Sequence, residues 1–196
     1  MKYIERKTKR IFDIVVALFC IVVFSPLYLI CYIAIIIDDG HPALFKQERI
    51  GYKGKEFKIY KFRTMKVNAE ESGPKLYSAN DDRLMRIGSF LRSHHLDELP
   101  QMWNVLKGDM SFIGPRPERK YFIDKIMEHD PRYPMLYQLR PGITSYATLY
   151  NGYTDTMEKM LRRLELDLYY LEHRSWWFDF KILAKTFINI VFGKKF

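Results

Sequence analysis

From Ile11 to Ile37 the chain is apolar almost without interruption, and a Ser25-Pro26 pair falls near the middle of that run. A bilayer crossing needs roughly 20 apolar residues, so the segment is long enough to span. Proline lacks an N–H and its ring collides with the carbonyl one turn back, here Val22, which predicts a sharp kink at Pro26. Each half is then about 12–14 residues, the length of an interfacial or re-entrant piece.

Beyond the run the pattern breaks into short periodic stretches. Leu44–Ile50 and Phe57–Phe62 flank Gly51-Tyr52-Lys53-Gly54 and predict a β-hairpin. Leu84, Ile87 and Leu91 share one face of a short helix for which Asp82 is the candidate cap. Leu99, Trp103 and Leu106 predict the buried stripe of a helix from near Leu96 to about Leu106, with Pro100 tolerated in its first turn and Gly108 closing it. Pro117 and Glu118 open a helix that turns Phe122, Ile123 and Ile126 inward, and Arg140-Pro141-Gly142 marks a turn. Met157, Leu161, Leu164, Leu168 and Leu171 give a strong helical face. At the end, Trp176-Trp177-Phe178 leads an amphipathic stretch with Lys181, Lys185 and Asn189 on one side and Leu183, Phe187, Ile190 and Val191 on the other. A core helix and a helix in the headgroup layer both fit; the paired tryptophans favour the membrane. The expectation is an α+β, mostly helical chain. Residues 1–40 form a membrane anchor broken at Ser25-Pro26, and residues 41–196 form one compact domain with a small hairpin and interfacial amphipathic helices.

Charge decides between two topologies of the anchor. Lys2, Arg6, Lys7, Lys9 and Arg10 precede the apolar run, which places that end in the cytoplasm. The whole chain carries a net charge of +9, which suits a domain facing anionic cytoplasmic headgroups. Both flanks on one side imply a helix that enters and turns back; a kinked single span with the domain outside is the alternative. A cleaved signal peptide fits less well, because the run is long and no small-residue cleavage site follows. Cys20 and Cys31 lie inside the run and read as small apolar residues rather than as a disulfide or metal pair.

The densest polar cluster is His94-His95-Leu96-Asp97-Glu98-Leu99-Pro100-Gln101. A zinc site is disfavoured, because nearly consecutive ligands cannot converge. A solvated helix start is the plain reading, since the helix dipole favours carboxylates there. The same dipole would keep an Asp ionised and able to act as a nucleophile, with Glu98 beside it to hold Mg²⁺. Basic residues favour the chemical reading. Arg49, Lys61, Arg63, Arg83, Arg86, Arg92, Arg116, Arg119 and Arg140 are spread over several elements, and several sit beside glycine or proline at stiff turns that suit bidentate phosphate contacts; Arg49, Lys61, Arg63, Arg83, Arg116 and Arg140 are the candidates for substrate binding. An anionic nucleophile, a metal and arginines together suggest phosphoryl transfer. A membrane-tethered basic protein for anionic lipid or nucleic acid is the rival reading, and a membrane-anchored scaffold a third. An acidic pair among arginine loops argues against a phosphate-backbone binder, so no nucleic acid is expected.

Taken in order, several motifs resemble the bacterial sugar transferase family, the monotopic phosphoglycosyl transferases. They are Phe45, Gln47, Arg49 and Gly51; Lys61-Phe62-Arg63-Thr64-Met65; Leu96-Asp97-Glu98-Leu99-Pro100-Gln101; Asn104-Val105-Leu106-Lys107-Gly108-Asp109-Met110-Ser111; Gly114-Pro115-Arg116-Pro117; and Arg140-Pro141-Gly142-Ile143-Thr144. The chain resembles the minimal form, without further transmembrane helices or an added domain. The resemblance implies a re-entrant helix broken at Ser25-Pro26 and a catalytic domain on the cytoplasmic face of the bacterial inner membrane. It implies that Asp97 attacks the β-phosphate of a UDP-sugar and expels UMP, and that undecaprenyl phosphate then takes the phosphosugar from the carboxylate. Glu98 with Asp97 would bind Mg²⁺, with Mn²⁺ as a substitute, and Arg116 would contact the nucleotide or its phosphates. The product would start a capsule, exopolysaccharide, O-antigen or glycoprotein glycan. Inner-membrane lipids are expected neighbours, and the apolar tail could support a homodimer. Two positions depart from the family pattern: Ser145-Tyr146-Ala147-Thr148 stands where many members have Gly-Trp-Ala-Gln, and His95 stands where Ser or Thr often caps the acidic turn. The first is expected to mark a different sugar pocket.

Overall fold

The computed structural model describes residues 3–69, 71, 73, 81–152 and 154–192, and for 3–6 and 191 the backbone only. Lys2 and the side chain of Arg6, part of the basic flank, lie outside the described residues, as does the side chain of Val191.

The apolar run folds as two helices, α1 (Tyr3–Val23) and α2 (Ser25–Asp39), which meet at a 62° bend. Phe24 leaves helical geometry at φ −90° and ψ 7°, and Pro26 stands in the first turn of α2, where its missing N–H costs nothing. Proline cannot donate to the Val22 carbonyl, and the Ser25 hydroxyl does so instead at 2.8 Å. The Ser-Pro pair therefore makes the bend and satisfies the group it orphans. Among the described residues no single helix is long and apolar enough to cross a membrane, although the bent pair together is.

The first half of α1 is not surrounded by lipid-like surface. Asp13 and Ala17, four residues apart on one face, are fully buried against the rest of the protein. Asp13 Oδ1 accepts the Phe112 N–H at 3.2 Å, Lys9 pairs with Asp179 at 2.5 Å, and Arg10 donates to the Val105 and Leu106 carbonyls at 2.6 and 2.9 Å. The far end of α2 is tied down as well, where Arg63 donates to the Asp39 and Gly40 carbonyls at 2.9 and 2.6 Å. Both ends of the bent pair are thus fastened to one body.

The hairpin forms as expected, β1 (Leu44–Ile50) against β2 (Glu56–Phe62), antiparallel with Leu44 opposite Phe62 and Ile50 opposite Glu56. The helix α3 (Arg86–Ser93) starts four residues after Asp82, which is exposed in a preceding turn. Its cap comes from elsewhere: Asp38, at the end of α2, accepts the Ile87 N–H at 3.1 Å. The expected single helix from Leu96 to Leu106 is two pieces, a 3-10 turn at Leu96–Glu98 and α4 (Gln101–Lys107), which Gly108 ends in left-handed geometry at φ 91°. The break shifts the helical phase, so Trp103 is half-exposed and Gln101, Asn104 and Val105 are buried instead.

Two three-residue strands, β3 (Ser111–Ile113) and β4 (Gly142–Thr144), pair in parallel. The contact is so close that a Cβ on Gly114 would lie 2.2 Å from the Arg140 carbonyl oxygen, so glycine is required there. Between them run α5 (Lys120–Met127), which buries Phe122, Ile123 and Ile126 as expected but opens two residues after Glu118, and a 3-10 segment at Tyr133–Gln138. Then come α6 (Tyr146–Asn151), α7 (Met157–His173) and α8 (Trp176–Val191).

In the last helix Lys181 and Lys185 are exposed, and Phe187 and Ile190 are exposed as the headgroup-layer reading expects, whereas Asn189 is buried. Asp179, Ile182 and Asn189 face inward, and Trp177, Phe180, Phe187 and Ile190 face out. The inward polar groups are engaged: Asp179 receives Lys9 and the Tyr170 hydroxyl at 2.6 Å, and Thr186 shares a 2.8 Å bond with Thr144. Tyr146 packs against Tyr150, Tyr169 and Phe178, so this departure from the family pattern serves to seat α8 on α6 and α7. Among the described residues the result is a mostly helical α+β fold with two small two-stranded sheets.

Candidate active site

His95 sits in left-handed geometry at φ 55°, an uncommon conformation for a residue with a Cβ. It separates α3 from the 3-10 turn and sends Asp97 inward, leaving that residue 5 % exposed. The opposite wall is β2. Asn104 binds the two together: its Oδ1 accepts the Tyr60 N–H at 2.9 Å and its Nδ2 donates to the Lys58 carbonyl at 2.7 Å. That clamp sets Lys61, the next residue of β2, directly over the acidic turn.

Lys61 Nζ lies 2.6 Å from Glu98 Oε1 and 3.9 Å from Asp97 Oδ2, so one cation faces both carboxylates. Arg116, in the Gly114–Pro117 loop, approaches Glu98 Oε1 to 3.9 Å. Burial alone would raise the pKa of Glu98, but Lys61 and Arg116 overcome it and hold it at about 2. The Asp97 carboxyl is pushed above the ordinary range by burial first; Lys61 and Arg92 oppose this and Glu98 adds to it. The α-helix start expected to bear on Asp97 is a 3-10 turn instead. A 3-10 turn supplies little dipole, and the cations are what favour the charged form. Above the turn, the Tyr28 hydroxyl of α2 donates to the Leu99 carbonyl, which fixes the apolar hairpin to the acidic turn itself.

Of the basic residues singled out from sequence, Lys61 and Arg116 reach the acidic pair. The other four are engaged with protein groups. Arg63 closes the end of α2, and Arg83 pairs with Asp81 at 2.5 Å. Arg140 donates to the Gly108 carbonyl at 2.8 Å and stacks over Tyr52, and Arg49 pairs with Glu118 at 2.8 Å. Arg92 stands among the scattered basic residues of the sequence but not among the six taken as substrate-binding candidates. It donates to the Thr64 hydroxyl at 3.0 Å and is one of the cations that act on Asp97. Its place one helical turn before the acidic turn is the only sequence signal that could have marked it.

Among the described residues no group of three or more His, Cys, Asp or Glu is placed to hold a metal ion by itself. Two adjacent carboxylates, one oxygen already given to Lys61, form the sparse donor set that suits Mg²⁺, which keeps water and substrate phosphate in its shell. Asp97 and Glu98 are the residues that would hold it.

A buried carboxylate beside an ionised one, faced by a lysine and an arginine, defines a site suited to attack on an electrophilic phosphate. The chain belongs to the bacterial sugar transferase family, which matches residues 4–193. It is 40 % identical over 185 residues to a UDP-N-acetylgalactosamine-undecaprenyl-phosphate N-acetylgalactosaminephosphotransferase of Aeromonas hydrophila, covering 94 % of this chain and 44 % of that protein. It is 42 % identical over 182 residues to a UDP-glucose:undecaprenyl-phosphate glucose-1-phosphate transferase of Caulobacter vibrioides, covering 91 % and 67 %. An uncharacterized sugar transferase of Bacillus subtilis matches at 36 % over 178 residues, 91 % of this chain and 84 % of that protein. The chain thus spans less than half the length of the Aeromonas protein.

Proposed function

We propose that the protein transfers a sugar-1-phosphate from a UDP-sugar to undecaprenyl phosphate and releases UMP. The observation that carries this is the buried Asp97 held beside Glu98 under Lys61. The relatives' names, one acting with UDP-N-acetylgalactosamine and one with UDP-glucose, supply the donor and acceptor classes.

An Asp97 oxygen attacks the β-phosphorus of the donor. The bond to the UMP oxygen breaks, UMP leaves with the electron pair, and the sugar phosphate stays on the carboxylate. A phosphate oxygen of the lipid then attacks the same phosphorus. The bond to Asp97 breaks, giving undecaprenyl diphospho-sugar and restoring the carboxylate. Lys61 and Arg116 spread the charge of the transferring group, and burial strips water from the nucleophile. Mg²⁺, held by Glu98 and Asp97, would neutralise phosphate charge when bound.

The bent pair α1–α2 acts as a re-entrant anchor in the inner membrane, with the domain on the cytoplasmic side. Ile11, Val15, Phe19, Val22 at the bend, and Ile30, Ile33 and Ile37 beyond it are exposed apolar surface, and both ends of the pair return to one body. The outward aromatic face of α8 lies in the headgroup layer and holds the site at the depth of the lipid phosphate. The test is UMP release from a panel of UDP-sugars with Mg²⁺ and polyprenyl phosphate. Turnover with at least one donor, lost in Asp97→Asn with the fold intact, supports the reading. Absence of UMP release from every donor, in protein that binds membranes and is folded, overturns it.

A further inference from the structure

The loop that carries Arg116 has no secondary structure of its own, yet it must hold a guanidinium steady beside Glu98. We propose that Asp167 and Arg163 of α7 are positioning residues that lock this loop, and hence Arg116, against the acidic pair. The proposal rests on the reading of Asp97 and Glu98 as the catalytic pair.

From sequence, α7 is a helix with one apolar face, and Arg163 and Asp167 have no part in it. In the structure both point into the protein, one turn apart, and both are buried. Such groups are costly unless something uses them. Arg163 uses its two terminal nitrogens: one donates to Glu118 Oε2, the other to the Thr154 hydroxyl at 3.0 Å. Glu118 in turn accepts from Arg49 at 2.8 Å and from the Arg119 N–H at 3.1 Å, and Arg49 also reaches the Pro117 carbonyl at 3.3 Å. The far end of the loop is therefore gripped by three side chains. The near end is fixed by the close backbone contact of Gly114 with Arg140 and Gly142.

Asp167 holds the middle. Its Oδ2 accepts the backbone N–H of Arg116 itself, at 3.4 Å. Its Oδ1 is buried without a full hydrogen bond, so the carboxylate is there at a cost that packing alone does not explain. Burial pushes the group up to about 7, with Arg163, the Arg116 and Ala147 N–H groups and the Ser145 hydroxyl pulling the other way. The charged and titratable neighbours are Arg163 from α7, Tyr133 from the 3-10 segment, and Glu118 across Arg163. Ser145 is also the cap of α6, where its oxygen accepts the Thr148 N–H at 2.9 Å. One carboxylate thus joins the arginine loop to the segment that departs from the family pattern. An ionised Asp167 accepts from Arg116 strongly. A protonated one loosens its hold, so the Arg116 loop tightens as pH rises through about 7.

The experiment has two readouts on the full chain in nanodiscs. Hydrogen exchange at pH 8 reads the loop directly and needs no activity: in Asp167→Asn the amides of Arg116 and Glu118, the two that lie between and beyond Pro115 and Pro117, are expected to exchange at least tenfold faster, with α5 unchanged. Kinetics with a productive UDP-sugar then read the site. Asp167→Asn is expected to raise KM about tenfold while kcat falls less than threefold. On an Arg116→Ala background the same change is expected to do nothing further. Unchanged exchange in the loop, or an effect that multiplies in full on the Arg116→Ala background, overturns the proposal. Should Asp167→Asn fail to fold, the wild-type protein supplies the test: its KM for donor should fall as pH rises from 6 to 8, and a flat profile counts against the idea. A protein with no UMP release at all but a loosened loop in Asp167→Asn would instead sink the catalytic reading and leave the positioning role standing.

Discussion

Gly88 tests how α3 is seated. By local rules, replacing a glycine in a helix with alanine stabilises by about 1 kcal/mol, because the unfolded chain loses freedom and the helix gains a better former. The structure predicts the opposite sign. A Cβ at Gly88 would stand 2.0 Å from the Thr64 carbonyl oxygen, 2.9 Å from its carbon and 3.2 Å from its Cα. These are backbone atoms, and the first is roughly 1.5 Å inside an ordinary contact. The Thr64 carbonyl cannot simply retreat, since it accepts the Met85 N–H at 3.0 Å. Overpacking typically costs about 1–3 kcal/mol, and an unyielding neighbour puts this case at the upper end, for a net loss of about 1–2 kcal/mol. For a protein of this size that lowers the unfolding midpoint by roughly 2–8 °C, where the local rule expects a rise of about 2–4 °C. The second effect concerns the site. Arg92, in the last turn of α3, reaches the Thr64 hydroxyl at 3.0 Å and acts on Asp97. A displacement near 1 Å at such a group can cost about 100-fold in rate. Thermal melts of Gly88→Ala in nanodiscs, alongside UMP release, measure both. A raised midpoint with full turnover would refute the seating of α3 on Thr64.

Other perturbations probe separate joints. Asp179→Ala strips the partner from Lys9 and Tyr170, and should cost roughly 3 kcal/mol in denaturant unfolding and open α8 to proteolysis; a shift below about 0.5 kcal/mol would contradict the joint. Glu118 is pulled down to about 2 by Arg163 and Arg49 against its burial, so its stabilisation is complete above about 4.5 and is lost as pH falls towards 2. Glu118→Gln should therefore be less stable at neutral pH and lose less on acidification, and a parallel pair of pH–stability curves would argue against the network. Pro26→Ala restores the N–H that the Val22 carbonyl lacks; cysteine labelling at the two flanks of α1–α2 should show one flank moving across the bilayer, and same-side labelling in the variant would show that the bend survives without proline.

The elements legible in the sequence are those written in a short window. The hairpin, its register about Gly51–Gly54, the bend at Ser25-Pro26 and the inward face of α5 depend on neighbours within a few residues. What escaped depends on distant partners. Trp103 looked buried because Leu96–Leu106 reads as one helix; the left-handed His95 and the 3-10 turn rotate the following helix. The inward polar groups Asp179 and Thr186 of α8 were not read from sequence, because their partners Lys9 and Thr144 lie far away in it. The pair β3–β4 is too short to carry a period. The arginines divide in the same way. A guanidinium beside glycine or proline suits a phosphate, but it suits orphan carbonyls equally well. Arg63 and Arg140 each take such a carbonyl, Gly40 and Gly108, left by the end of a helix. Lys61 and Arg92 both belong to the scattered basic residues of the sequence, and it takes the pairing of β2 with the acidic turn and the turn at His95 to bring them to Asp97.

The most direct test of the account is the chemistry at Asp97. Enzyme mixed with UDP-sugar and Mg²⁺ but no lipid, quenched in acid and digested, should yield a peptide bearing a phosphosugar on Asp97. The adduct should disappear when polyprenyl phosphate is added. An unmodified Asp97 peptide under conditions where UMP is being released would contradict the account.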